Sequence, residues 1–477
     1  MTDNKDRRGY FRPALLRATF LAAALCLTVI YAYFATRQDL LHPVKLYLIL
    51  YAAAFGVYAY VGARLLPALD RNQKLYVPLI LAVGLVFRLI LIAAKPSLST
   101  DIYRYIWDGR LILHGINPYH WAPFDGRLAR FRDAAIWFPM EYKYYNTVYM
   151  PVSQAIFALN AAIFGTSIAG FKLVYALIDA LVMGLIAVIL RARNLPVINV
   201  YWYAWCPLPI TEIALSGHQD VVGVALLLSA FLLMLRDRPL PAAALLVAAG
   251  FTKGFAFLLL PLFARRYGAP FIRVAVIALL ILGMPLYLCL PSFLHGMKQY
   301  LGTVHVNSGI FHFVYTGFRM MLAPGDAYDL TSRLSNVVVL WIMWWSVRRP
   351  IDTDDEIIRR SIIVIAVCLL VVPTLFPWYI VWLLPLVTVF RRKPSTAFIV
   401  ISGTVVLMYF YYFQYTILWW FRLLEYAPFY TLIWLEYRRR YWLPAEDLGP
   451  GVSDLPGASV SVNDGGADGC PDPAACK

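Results

Sequence analysis

Long apolar runs recur along the chain and set its plan. They lie near 14 to 36, 45 to 64, 75 to 94, 168 to 190, 197 to 215, 220 to 235, 240 to 264, 271 to 291, 331 to 347, 359 to 390, 396 to 413 and 416 to 436. A helix needs about 20 residues to cross hydrocarbon, and for runs of this kind only helices satisfy the backbone there. Short basic clusters separate the runs, and such clusters favour the cytoplasmic side. With Lys5, Arg7, Arg8 and Arg12 inside, so are Arg64 to Lys74, Arg191 and Arg193, Arg236 and Arg238, Arg265 to Arg273, Arg348 and Arg349, Arg391 to Lys393, and Arg438 to Arg440. This threading makes hairpins of 240 to 264 and 359 to 390, turning outside at Lys253-Gly254 and at Pro373 to Pro377, where Gly and Pro break helices. It also lays Pro151 to Gly165, too short to cross, on the outer surface.

The expectation is an all-α polytopic membrane protein, a bundle of about 14 transmembrane helices with both termini cytoplasmic. Residues 1–440 form the membrane domain, with large outer segments at 95–167 and 292–330. The 441–477 tail, rich in Gly, Pro, Asp and Ser, reads as disordered and cytoplasmic.

Composition agrees. Of 477 residues 61% are hydrophobic and 14% charged, and the mean hydropathy is +0.66, leaving too little polar sequence to coat a soluble globule. The net charge of +15 sits in clusters between apolar runs and does not form a nucleic-acid-binding patch. Cys26, Cys206, Cys289 and Cys368 lie in apolar runs, and Cys470 and Cys476 close the polar tail without ligand-like His, so neither a disulfide framework nor a zinc site is expected. The first apolar run is long and lacks a cleavage site, and reads as a retained anchor.

The segment after the third run, LSTDIYRYIWDGRLILHGINPYHWAP (98 to 123), concentrates candidate chemistry. Ser99 or Thr100 caps a helix starting near Asp101, and Asp101, Arg104 and Asp108 at i, i+3 and i+7 share one face. Gly109, Gly115 and Asn117-Pro118 then break it into turns. The expected product is an amphipathic helix at the membrane surface, with Tyr103, Tyr105 and Trp107 at interfacial depth and two carboxylates and an Arg at the water boundary. A bland reading stands beside it, with Asp101 as a cap and Asp108 as an ion-pair partner of Arg104 or Arg110.

These residues resemble the membrane-embedded GT-C glycosyltransferases, in particular the bacterial polyprenyl-phosphate-mannose-dependent mannosyltransferases. Those enzymes read similarly to D-I-Y-R-Y-x-W-D-G-R followed by G-I-N-P-Y. The likeness continues through YMPVSQAIFAL (149 to 159), WCPLPITEIALSGHQD (205 to 220), GFTKG (250 to 254) and FPWYIVWLLPL (376 to 386), in the same order over most of 75 to 390. Met150 departs from the pattern, where relatives have a second Pro. The resemblance implies a GT-C-like bundle in a bacterial inner membrane, its active-site loop facing the periplasm or exterior. It implies transfer of a sugar, mannose by likeness, from a polyprenyl phosphate to a glycan, lipid or protein acceptor, with inversion. Asp101 takes the part of general base and Asp108 is the second catalytic candidate. The departing phosphate needs a cation clamp, for which Arg104, Arg110 and Lys253 are candidates. Tyr103, Asn117, Tyr119, His218 and Asp220 are candidate substrate contacts.

Weaker candidates surround this set. A capped turn competes with function at Gly217 to Asp220, and snorkelling competes with it at Lys253. Arg88, Asp179, Glu212, Arg422 and Glu425 read as buried pairs; His295, Lys298, His305, Asn307 and His312 offer acceptor contacts but no metal cage. No cofactor is expected, and a divalent metal is left open without a motif that indicates one. Asp352-Thr353-Asp354 imitates a nucleotide-sugar motif, but no alternating strand and helix pattern supports it, and it reads as a solvated turn capping the next helix. A transporter or flippase of a lipid-linked saccharide is the alternative class, although the repeated halves common in transporters are not evident. A lipid-linked glycan polymerase or ligase is the third.

Overall fold

A computed structural model describes residues 13–303, 306–414 and 419–443. Every regular element among them is helical, and four helical stretches are long and apolar enough to cross a membrane: Pro13–Thr36, Val44–Ile92, Ile168–Ala192 and Gly254–Tyr287. The chain is a helical membrane protein. Residues 444–477 of the expected tail, the N-terminal basic cluster and His305 lie outside the described residues, whereas Tyr441 to Leu443, expected to open the disordered tail, are packed on the bundle: Trp442 stacks on Phe390, and Arg359 and Arg391 donate to the Trp442 and Leu443 carbonyls.

Several expected crossings are interrupted helices. In run 197 to 215, a 3-10 turn at Val197–Val200, short helices at Tyr201–Ala204 and Pro207–Pro209, and a π turn at Ile210–Leu215 replace one continuous helix. Pro207 and Pro209 are the reason, since each lacks the N–H that a helix interior requires. The second and third runs are joined by helical turns and not by an open loop, with the break at Asn72 (φ −130°, ψ 49°). The long Gly254–Tyr287 stretch is two helices meeting at Gly268, whose φ of 67° only glycine adopts freely.

The two hairpin turns fall where Gly and Pro place them. The Pro239–Gly250 helix ends before Lys253, and the Asp354–Val371 helix ends before Pro373, with the next turn starting at Pro377. The short Pro151–Phe164 helix stops at Gly165. Both turns meet the 95–167 segment at one cavity, which holds Asp101, Lys253, Pro373 and Trp378.

Basic clusters converge elsewhere. Arg193 pairs with Asp355 at 2.6 Å and donates to the Phe390 carbonyl, while Arg266 pairs with Asp354 at 3.0 Å and donates to the Ile351 carbonyl. Thr353 accepts from the Glu356 N–H and caps that helix. Asp352 and Thr353 are exposed, as expected of a solvated turn that caps the next helix, and the ion pairs begin at Asp354 and Asp355.

Asp101–Leu113 corrects the expected surface helix. Residues Ile102 to Gly109 and Leu111 are all buried, including Tyr103, Tyr105 and Trp107, whose rings pack inside the protein and do not face its surroundings. The cause is the Pro151–Phe164 helix lying against it. A β-carbon on Gly109 would stand 2.3 Å from the Phe157 carbonyl oxygen, so only glycine admits this approach. Tyr105 stacks on Phe157 at 4.5 Å between ring centres.

Candidate active site

Delivery of Asp101 starts at the end of the Gln73–Ile92 helix. Lys172, fully buried, donates to the carbonyls of Leu91 and Ala94 at 2.7 and 2.6 Å and so caps that C-terminus. Ser97 then accepts from the Leu40 N–H, and Ser99 Oγ accepts from the Asp101 N–H at 3.3 Å. Thr100 is the N-cap residue but makes no side-chain cap, so the Asp101 carboxylate sits in the first helical turn, where the helix dipole favours an anion.

Asp101 opens into a cavity of about 270 Å³ with Arg104, Glu141, Tyr149, Lys253 and Tyr379 among its walls. Its side chain is 25% exposed. Burial pushes its carboxyl up to about 6; Lys253 pulls the other way, Glu141 and Asp220 add to the rise, and a Tyr149 hydroxyl opposes it. Burial likewise raises the Glu141 carboxyl, against a hydrogen bond from Thr100 and the charge of Lys143.

The expected cations separate. Lys253 reaches the cavity wall, its ammonium 2.7 Å from Asp220 and 3.9 Å from the centre of the Tyr379 ring. Arg104 also lines the cavity; its Nε donates to Asp108 at 2.8 Å, one Nη donates to the Tyr145 carbonyl, and Nη2 has no partner among the described residues. Arg110 is held elsewhere, paired with Asp133 in the loop beyond its helix. It does not share the cavity.

Asp108 is not at the water boundary. It is fully buried, accepting from Arg104 Nε at 2.8 Å and from Gln154 Nε2 at 3.0 Å, because the Pro151–Phe164 helix covers that face. Tyr103 is buried without lining the cavity. Asn117 and Tyr119 shape the turns around it: Asn117 accepts from the Tyr119 N–H and donates to Cys289, and the Tyr119 hydroxyl donates to the Tyr149 carbonyl.

His218 and Asp220 lie one layer behind the wall. Asp220 accepts from Lys253 and, at 2.9 Å, from the Trp382 indole. His218 is fully buried and stacks on Trp378 at 3.8 Å. Neither is open to a sugar in this conformation. In the second outer segment, Asn307 is buried against Glu425 at 2.7 Å, and Met297 and Tyr300 reach the cavity in place of His295 or Lys298. The Arg88–Asp179 pair is closed at 2.5 Å, with Tyr203 donating to Asp179. Among the described residues no group of three or more His, Cys, Asp or Glu is placed to hold a metal.

Glu141, outside the candidate set, and Gln219, within the candidate turn Gly217 to Asp220, both line the cavity. Glu141 lies in an irregular stretch, without periodicity to give it a direction. Gln219 accepts from the Ser153 hydroxyl at 3.0 Å, which ties the Gly217 to Asp220 turn to the Pro151–Phe164 helix.

A helical membrane protein with an ionised and aromatic cavity at the end of a polar loop fits an enzyme that works at a bilayer surface. The chain belongs to the MptA_B family: the family model described as alpha-(1->6)-mannopyranosyltransferase, N-terminal domain, matches residues 16–267, more than half of its 477 residues. It is a mannosyltransferase of that family, and the match takes in Asp101, Glu141, His218 and Lys253. No curated protein matches the sequence.

Proposed function

We propose that the protein transfers mannose, with inversion, from a polyprenyl-phosphate carrier to a hydroxyl of a glycan, lipid or protein acceptor on the outer face of the membrane. Asp101 carries this reading: it is a carboxylate at the head of a helix that opens into a cavity shared with two cations. The acceptor oxygen gives its proton to Asp101 as it attacks the anomeric carbon, and the bond from that carbon to the phosphate oxygen breaks on the opposite side. The phosphate leaves with the bonding electrons, so its charge rises, and Lys253 and Arg104 are the groups on the cavity wall that can balance it. A phosphate is already a good leaving group, so one base suffices. The aromatic walls suit a sugar face on one side and an isoprenoid neck on the other.

About 14 crossings, cytoplasmic termini and a GT-C-type bundle complete the proposal, drawn from the placement of basic clusters and hairpin turns. Arg110 and Asp108 act from behind, holding the loop and Arg104. Purified protein given radiolabelled polyprenyl-phosphate mannose, then glucose, galactose and arabinose counterparts, should move mannose alone to an acceptor extract. Label that moves from another carrier sugar, or from a nucleotide sugar, removes this donor.

A further inference from the structure

Behind the cavity wall, three ionisable side chains form a line. His218 Nδ1 is 3.7 Å from Asp101 Oδ2, and on the far side of the ring Nε2 is 3.6 Å from Glu212 Oε2. Both contacts are too long for hydrogen bonds, and neither ring nitrogen has a partner among the described residues although both are buried. An imidazole with two unused nitrogens, each facing a carboxylate, is costly unless those contacts close. Its plane is fixed by Trp378, stacked at 3.8 Å and 20°, which in turn stacks on Phe376 at 4.4 Å. The ring therefore slides in its plane more readily than it tips.

Glu212 is fully buried in the π turn Ile210–Leu215, a backbone form often found at functional sites. The Tyr409 hydroxyl donates to its carboxyl, whose oxygens lie 2.9 and 2.8 Å away. Among the described residues no Lys or Arg pairs with it, and a lone carboxylate in such a place is disfavoured as an anion. Glu141, Asp220 and Lys253 are the other charges that act on Asp101 at the head of the line, and the last two pair with each other.

We propose that His218 and Glu212 form a relay behind Asp101 that orients its carboxylate and takes over the proton it removes from the acceptor. The inference rests on Asp101 being the base. In the resting arrangement Asp101 and Glu212 are both ionised, Nδ1 is bare, and Nε2–H faces Glu212, which also accepts from Tyr409. The proton of the attacking hydroxyl passes to Asp101. Asp101 then hands that proton to Nδ1 while Nε2 gives its own proton to Glu212, which leaves Asp101 ionised, Nδ1–H donating to it and Glu212 protonated. After the products leave, the proton returns from Glu212 through His218 and Asp101 to water in the cavity, so protons and charge balance over the turnover. Both contacts shorten by less than about 1 Å to reach hydrogen-bond length, a tightening expected when substrate fills a cavity.

The test compares Asp101→Asn, His218→Gln, Glu212→Gln and Glu212→Asp in the full-length protein, with labelled polyprenyl-phosphate mannose and kcat and KM measured separately. Glu212→Gln separates relay from packing, because the amide keeps the hydrogen bonds of a protonated carboxyl but cannot exchange a proton. The relay predicts that His218→Gln and Glu212→Gln each lower kcat about 10- to 100-fold, part of the 10²–10⁴ that acid–base catalysis contributes, with donor KM unchanged. Glu212→Asp should restore a part of the loss. Wild-type kcat in Glu212→Gln, with Asp101→Asn inactive, overturns the relay and leaves the base in place. Transfer undiminished in Asp101→Asn overturns the parent reading and the relay with it. If His218→Gln does not fold, the Glu212 pair alone decides.

Discussion

Asp101 and Asp108 lie seven residues apart on one helix, in one motif, and the structure gives them opposite surroundings. Asp101 is part-exposed at the helix head with no cation at hydrogen-bond distance among the described residues, and its carboxyl is lifted to about 6. Asp108, two turns on, is sealed between Arg104 and Gln154. The first is free to exchange a proton with whatever enters the cavity, while the second has both oxygens committed. Identical chemistry is thus divided by one covering helix, and only the head of the segment is left for reaction.

The largest effect expected is on Asp101. Asp101→Asn should reduce mannosyl transfer by about 10²–10⁴-fold with expression and thermal unfolding unchanged, which parallel rate and melting measurements check. Asp108→Asn should do the reverse, destabilising the fold by about 3–5 kcal/mol because Arg104 is left buried and unpaired, while the correctly folded fraction keeps measurable activity. An equal rate loss in both, with neither destabilised, breaks the comparison.

Smaller effects sharpen it. Because Asp101 must be ionised to act, the rate should fall as pH drops through about 6. Lys253→Met removes a charge that favours the ionised form, so the acid limb should move to higher pH, together with a rise in donor KM. Glu141→Gln removes a charge that opposes ionisation and should move the limb to lower pH; a pH–rate profile of each variant reads the sign. Least of all, Arg110→Ala should cost about 0–1 kcal/mol of stability with little change in rate, since its pair with Asp133 is partly exposed, at 22% and 34%.

Much of this was legible in the sequence, for reasons that are local. Glycine and proline at Lys253-Gly254 and Pro373 to Pro377 mark the turns whatever else the chain does, and Ser99-Thr100-Asp101 marks the start of a helix. Helical spacing put Asp101, Arg104 and Asp108 on one side, and Arg104 and Asp108 do pair. What spacing cannot give is the cover. The 14-residue Pro151–Phe164 helix reads as a surface element because its length is too short to cross, yet it covers the middle of the motif helix, from Ile102 to Gly109. Arg110 missed the cavity because its partner, Asp133, comes from a stretch with no periodicity. His218 stands behind the wall because Trp378, 160 positions later, lies over it.

Lys172 gives the loop an anchor that the loop does not contain. Its side-chain nitrogen holds the carbonyls from which residues 95–167 depart, yet it belongs to the following helix, and its stem packs beneath Gly217. Evolution therefore cannot trade this loop between scaffolds as a cassette. A chimera that carries residues 95–167 into a host with an apolar side chain at the position of Lys172 would present every reactive group and aim none of them.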